Sequence, residues 1–97
     1  MAETISQSRA VVSTPSASRY LQQLCKHWAH KFAVEFDPAH GSIALPLGRV
    51  ELAADDVALI VTCHAEGDLA RMQQVVADHL NRFAFREGEL SFNWQSV

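Results

Sequence analysis

The chain reads as an α+β protein, a two-layer sandwich in which two amphipathic helices cover one face of a mainly antiparallel sheet. Three observations predict it. Two stretches carry apolar residues at helical spacing: Tyr20, Leu21, Leu24, Cys25, Trp28 and Phe32 in the first, Leu69, Met72, Val76, Leu80 and Phe83 in the second. Around and between them lie short runs in which apolar and polar residues alternate, the period of a half-buried strand. The gaps between the middle strands are too short for parallel crossovers, which need about a dozen residues or more, so those strands are joined as antiparallel hairpins. Each strand has one clearly apolar face, which places both helices on the same side of the sheet.

Taken in order, residues 1–6 are polar and expected to fray. Gln7 to Val12 reads as an edge strand, with Ala10 and Val12 on one face and Arg9 and Val11 on the other. Thr14-Pro15-Ser16 breaks it, and Ser16 or Ser18 is placed to cap the helix running from Ser18 to Phe32. Phe32, Val34 and Phe36 alternate with Ala33 and Glu35, giving the next strand. Asp37-Pro38-Ala39-His40-Gly41 reads as a hairpin turn closed by a positive φ at the glycine. Ile43, Leu45 and Leu47 alternate again, with Pro46 and Gly48 predicting an edge, a bulge or a break.

Val50 and Leu52 resume the pattern, and Ala53-Ala54-Asp55-Asp56 turns the chain. Val57 to His64 is the most apolar strand. Asp68 is a candidate N-cap for the second helix, and Gly88 is expected to end that region. Leu90, Phe92 and Trp94 alternate with Ser91, Asn93 and Gln95 as a last strand. The order is therefore β-α-β-β-β-β-α-β in one domain, residues 1–97. The second sheet face, carrying Glu35, Ser42, Ala44, Glu51, Ala58, Ile60, Thr62, His64 and Asn93, is left either solvated or covered by a second subunit, as in a homodimer.

Hydrophobic residues make up 48% and charged residues 20% of the chain, the balance of a globular domain and not of a disordered one. A net charge of -3 argues against nucleic acid as the partner, because phosphate binding needs a basic face. No apolar run approaches the about 18 residues that predict a membrane span. The opening MAETISQSRA has neither the basic nor the apolar region of a secretory signal. A cytoplasmic location follows as the expectation, with Cys25 and Cys63 reduced. Two cysteines this far apart form neither a disulfide framework nor a CxxC motif.

Histidine and basic residues mark where chemistry would lie. His27, Lys31, His79, Arg82 and Arg86 fall late in their helices, beside Trp28 and Phe83. If the helices are adjacent, these residues line a cationic groove suited to a small anionic ligand such as a carboxylate or catecholate. His27, His30 and His79 are the candidate metal ligands, since imidazole suits zinc, copper and iron. The geometry disfavours a metal all the same. Cys25 points to the apolar stripe while His30 points away from it, and Cys63 and His64 face opposite sides of a strand. Cys25 and His27 stand two apart on a helix and do not face each other, which argues against a thiol nucleophile. On the edge of its stripe, His79 is expected to bond a carbonyl, Asp78 or Glu87. No glycine-rich phosphate loop, GxSxG elbow, HExxH motif or catalytic carboxylate pair is present, and no cofactor is called for.

The segments CKHWAHKF, VEFDPAHG, VVADHLNRFAFRE and LSFNW carry a resemblance. From about Ser13 to Trp94 the chain resembles a bacterial family of small proteins known as domain of unknown function twenty-two eighteen. The resemblance implies a cellular setting near iron-siderophore uptake genes and siderophore-interacting flavin reductases. It implies no catalytic residues. The expectation is a non-enzymatic binding or accessory domain, in iron-siderophore metabolism by that resemblance. The alternatives are a small metal- or haem-binding protein using the helix histidines and, last, an enzyme with a histidine–carboxylate site.

Overall fold

The computed structural model describes residues 6–96. In chain order it holds β1 (Ser6–Ser13), α1 (Ala17–Trp28), β2 (Val34–Phe36), β3 (His40–Leu45), β4 (Gly48–Ala54), β5 (Ala58–Ala65), α2 (Leu69–Phe83) and β6 (Gln95–Ser96). The strands form one six-stranded sheet ordered β2-β3-β4-β5-β1-β6, antiparallel at every pairing. Both helices lie on one face, α1 over β2, β3 and β4 and α2 over β5. This is the predicted two-layer α+β sandwich in the predicted element order. Among the described residues no helix is long and apolar enough to cross a membrane.

Burial follows the period of each element. Ser8, Ala10 and Val12 of β1 face the helices, as do Val50 and Leu52 of β4 and Leu59, Val61 and Cys63 of β5. From α1 come Tyr20, Leu21, Leu24, Cys25 and Trp28, and from α2 Met72, Val76 and Leu80, into one core. The spacing of these residues is what makes each helix lie flat on the sheet with its charged side in water.

Glycine at two positions decides how tightly this closes. A Cβ at Gly41 would stand 2.8 Å from Cys25 Sγ and 3.4 Å from a Leu21 methyl carbon, so α1 rests directly on the backbone of β3. Gly48 has φ +142°, and a Cβ there would come within 2.0 Å of the His64 carbonyl oxygen. Only glycine fits that start of β4.

Several expectations are corrected by the fold. The fraying expected of residues 1–6 lies outside the described residues save for Ser6, which pairs with Ala65. β1 is not a free edge, since β6 pairs with Ser8 and Arg9. Gly41 does not close the hairpin turn. Asp37 does, its carboxylate accepting from the amides of Ala39 and His40 at 2.8 Å each, and Asp55 repeats the device with Val57 and Ala58 before β5. Of the edge, bulge or break expected at Pro46 and Gly48, the structure shows the break: β3 ends at Leu45, Pro46 and Leu47 make the turn, and β4 starts at Gly48. Ser16 stands at the N-cap of α1 without a side-chain cap bond. Its amide donates to Thr14 Oγ1, and the Ser18 hydroxyl donates to the Pro38 carbonyl instead. Asp68 caps α2 as expected, accepting from Arg71 N at 3.0 Å.

α1 stops at Trp28, short of Phe32. The amides of Lys31 and Phe32 both return to the Trp28 carbonyl, and Ala33 then enters the sheet by accepting from Ala44 N. α2 ends at Phe83, ahead of Gly88. Leu90 to Trp94 packs on the core outside the sheet, and pairing resumes only at Gln95–Ser96. The Leu90 amide bonds Asn81 Oδ1 at 2.7 Å, which ties that segment to α2.

Two stability changes follow. Gly41→Ala should destabilise by about 1–3 kcal/mol, the range for overpacking a tight contact. In a Cys25→Ala background the same change should cost less, because the clashing sulfur is gone. Additive costs in denaturant melts would show that the contact does not limit packing. Trp28 is 5% exposed, so Trp28→Ala should cost about 3–5 kcal/mol; a loss below about 1 kcal/mol would contradict its burial.

Candidate functional site

The C-terminal end of α1 and the middle of α2 meet beside the core, and this brings the predicted histidines together. His27 and His79, from different helices, have ring centroids 5.4 Å apart. Trp28 lies under His79 at 4.8 Å, and Phe83 meets His27 edge-on at 6.1 Å. Phe32 packs edge-on against Trp28 at 6.5 Å. Trp28 is buried, so it is the floor of this cluster and not an open stacking surface. His27 is exposed and His79 half-buried.

His79 Nδ1 lies 2.8 Å from the Val75 carbonyl oxygen, one turn back on its own helix. A carbonyl only accepts, so Nδ1 carries the proton and Nε2 is the nitrogen left for an outside partner. This is the carbonyl bond expected for His79. Glu87 does not reach it. That carboxylate takes the hydroxyls of Thr14, at 2.9 Å, and Tyr20, and so ties the turn after α2 to the start of α1. Burial, with the Glu87 hydrogen bond second, pushes the Tyr20 phenol up. No period in the sequence points to this link, because Thr14 and Glu87 are 73 residues apart and neither belongs to a helix or strand.

The electrostatics of the cluster are one-sided. The His27 imidazole is held below its ordinary value, first by desolvation and then by His79, Arg82, His30 and Lys31 in turn. All four of those neighbours are bases. Among the described residues Lys31, Arg82 and Arg86 form no ion pair with a carboxylate. Asp78, a candidate partner for Arg82, accepts from Gln74 instead. Arg86 lies in the turn after α2 with its guanidinium 5.6 Å from the ring of Phe85, which is 71% exposed. Position adds to the charge, since carbonyls at a helix C-terminus favour cations and His27 ends α1 as Arg82 ends α2.

The remaining candidates stand apart. Among the described residues no three His, Cys, Asp or Glu side chains are close enough to share a metal ion. Burial pushes the Cys25 thiol up to about 11 and the Cys63 thiol to about 12. Both therefore stay protonated at neutral pH and are poor nucleophiles. On the opposite side, the uncovered sheet face forms an open trough of about 930 Å³, floored by Val11, Ala53 and Ile60. There Arg9 Nε donates to Thr62 Oγ1 at 3.3 Å, and Glu51 accepts from Arg49 and His64. At the histidine seam, by contrast, every side chain that shifts His27 is a base.

The seam sets a direction for stability against pH. The folded state holds His27 below the free imidazole value of 6.5, so as pH falls the unfolded chain takes up this proton first. Its contribution is full above that value and is lost as pH drops below it. By NMR titration His27 should protonate below pH 6.5, and Arg82→Ala should move the midpoint up. A midpoint at or above the free value, unmoved by that change, would show that the charges do not converge on His27.

The family model described as an uncharacterized protein conserved in bacteria (DUF2218) matches residues 9–95. The NMR structure of PA4090 from Pseudomonas aeruginosa is similar to this chain at 42% identity, covering 93% of this chain and 95% of that one with a TM-score of 0.76. Comparison with curated proteins finds no match. A family model spanning nearly every described residue, with a solved relative of the same fold, places the conclusion in sequence and structure together: the chain belongs to the DUF2218 family of uncharacterized bacterial proteins.

Proposed function

We propose that this protein is a non-enzymatic binding domain that takes a small anionic ligand on the histidine seam between α1 and α2. One observation carries the reading: His30 and Lys31 from the turn after α1 and His79 and Arg82 from α2 bear on His27, and no carboxylate is among the groups that shift it. The fixed positive charge here is that of Lys31 and Arg82, which form no ion pair among the described residues, and an anion would offset it. Arg82 and Lys31 supply charge-assisted hydrogen bonds, His79 offers a free Nε2, and the half-buried edge of Phe83 suits an aromatic acid. The class of ligand we infer is an aromatic or carboxylate-bearing anion of the kind found in iron-chelating siderophores. The family resemblance supports that setting, in the cytoplasm.

Salicylate, an aromatic hydroxy acid, is a suitable probe. Isothermal calorimetry should detect binding, and Arg82→Ala with Arg86→Ala should weaken it by about tenfold or more, since hydrogen bonds to charged groups contribute about 1.5–3 kcal/mol. The thermal transition should stay largely unchanged in that variant. Absence of heat with salicylate and with an anionic siderophore would remove the reading.

A second reading, that the helix histidines hold a metal or haem, draws on one observation. His79 Nδ1–H donates a hydrogen bond to a backbone carbonyl, the kind of bond that fixes the tautomer and ring orientation of metal-ligating histidines. The surrounding positive charge opposes a bare cation. Titration with zinc or copper separates the two readings: stoichiometric binding abolished by His79→Gln would favour the metal.

A further inference from the structure

On the face away from the helices, the pairing of the strands aligns side chains into rows that cross the sheet. One row runs Arg9, Thr62, Glu51, Ser42 and Glu35, each the pairing partner of the next, on β1, β5, β4, β3 and β2 in turn. The row beside it, Val11, Ile60, Ala53 and His40, is more apolar. The first row is a set of opposites arranged about Glu51 on β4. A hydroxyl stands on either side, Thr62 and Ser42, and beyond these stand a cation at Arg9 and an anion at Glu35. Both end residues are exposed, and among the described residues neither forms an ion pair. Arg9 is held in place all the same, because its Nε donates to Thr62 Oγ1 at 3.3 Å.

We propose that this face is the interface of a symmetric homodimer, two sheets packed face to face about a two-fold axis that runs along β4. That axis exchanges the two ends of the row. Arg9 then lies over Glu35 of the partner subunit and Thr62 over Ser42 of the partner subunit, each twice in the dimer. A row that is its own complement when reversed is what an isologous contact requires. The two Glu51 carboxylates meet at the centre, where each is already matched by Arg49 and His64 of its own chain. An axis across the strands would instead stack Arg9 on Arg9 and Glu35 on Glu35, so charge selects the first orientation. Size agrees as well. Six strands about 4.8 Å apart give a face of roughly 24 Å by 20 Å, so two copies cover about 1,000 Å² in total, the lower bound for a specific contact. The trough of about 930 Å³ over Val11, Ala53 and Ile60 is space that side chains of both faces fill when sheets stack about 10 Å apart. Val11 is 58% exposed and gains from being covered. The helices lie on the far side, so the dimer is a four-layer sandwich, helix–sheet–sheet–helix, with both histidine seams outside. Dimerisation is independent of what the seam binds.

Sedimentation equilibrium of the full chain, taken up to about 1 mM, should give twice the monomer mass at the upper end. Arg9→Glu and Glu35→Arg, each made alone, should weaken association by about tenfold or more, and the two together should recover most of it. Val11→Asp should leave a monomer. All three positions are exposed, so circular dichroism melts of these variants should stay close to that of the unmodified protein. NMR of a mixed sample, one copy isotope-labelled and the other not, should show contacts between copies at Val11 and Ile60; this reading needs no variant to fold. A monomer at about 1 mM would overturn the proposal and leave the face to solvent or to a partner of another kind. A dimer that is untouched by all three changes, or whose contacts come only from the helices, would overturn the choice of face. Loss in both single charge variants without recovery in the double would overturn the two-fold arrangement about β4.

Discussion

The contact of α1 with the bare backbone of Gly41 is the constraint on which the rest of the structure depends. A side chain there would meet the Cys25 sulfur at 2.8 Å, so the absence of one sets how deeply α1 sits on the sheet. With Cys25 and Leu21 seated over β3, Trp28 at the end of the same helix is carried into the core. Its ring then supports His79 from below. Lifting α1 by even part of an ångström would loosen all of these contacts at once, because close-packed interiors do not absorb volume changes locally.

The two helices divide the inner face between them, and that division produces the seam. α1 lies over β2 to β4 and α2 over β5, which leaves their C-terminal halves side by side at one end. Helix C-termini gather cations because of their unpaired carbonyls. Here two such ends, each carrying histidine and arginine or lysine, are brought against one another, and the repulsion falls on His27. A structural domain gains nothing from that arrangement, and its stability falls as pH drops below the imidazole value.

The polar links on the rest of the surface behave differently. Asp37 and Asp55 each accept two backbone amides at a hairpin turn, which holds both carboxyls below their ordinary range. Glu87 gathers Thr14 and Tyr20, and Glu51 gathers Arg49 and His64. In each case opposite or complementary groups meet, and the arrangement is satisfied without a ligand. The open sheet face carries the Arg9–Thr62 and Glu51 contacts over a modest apolar floor.

The amino-acid sequence by itself determined the element order, the two helical stripes and the side of β1, β3, β4 and β5 that faces the core. These follow from periods of about 3.6 and 2 residues, which act over a few neighbours and are visible in the chain. It also determined that His27 and His79 lie beside the inner stripes, late in α1 and within α2. Where each element stops was less legible. Phe32 keeps the helical spacing of α1, yet sheet pairing at Ala33 claims the chain first, and Leu90 to Trp94 alternates like a strand while packing outside the ladder. Gly41 looked like a turn residue and serves as a seat for α1. Only the tertiary structure decided which bases face His27, that Trp28 is floor and not surface, and that Glu87 belongs to Tyr20. Those depend on distances between residues far apart in the chain, which no local period encodes.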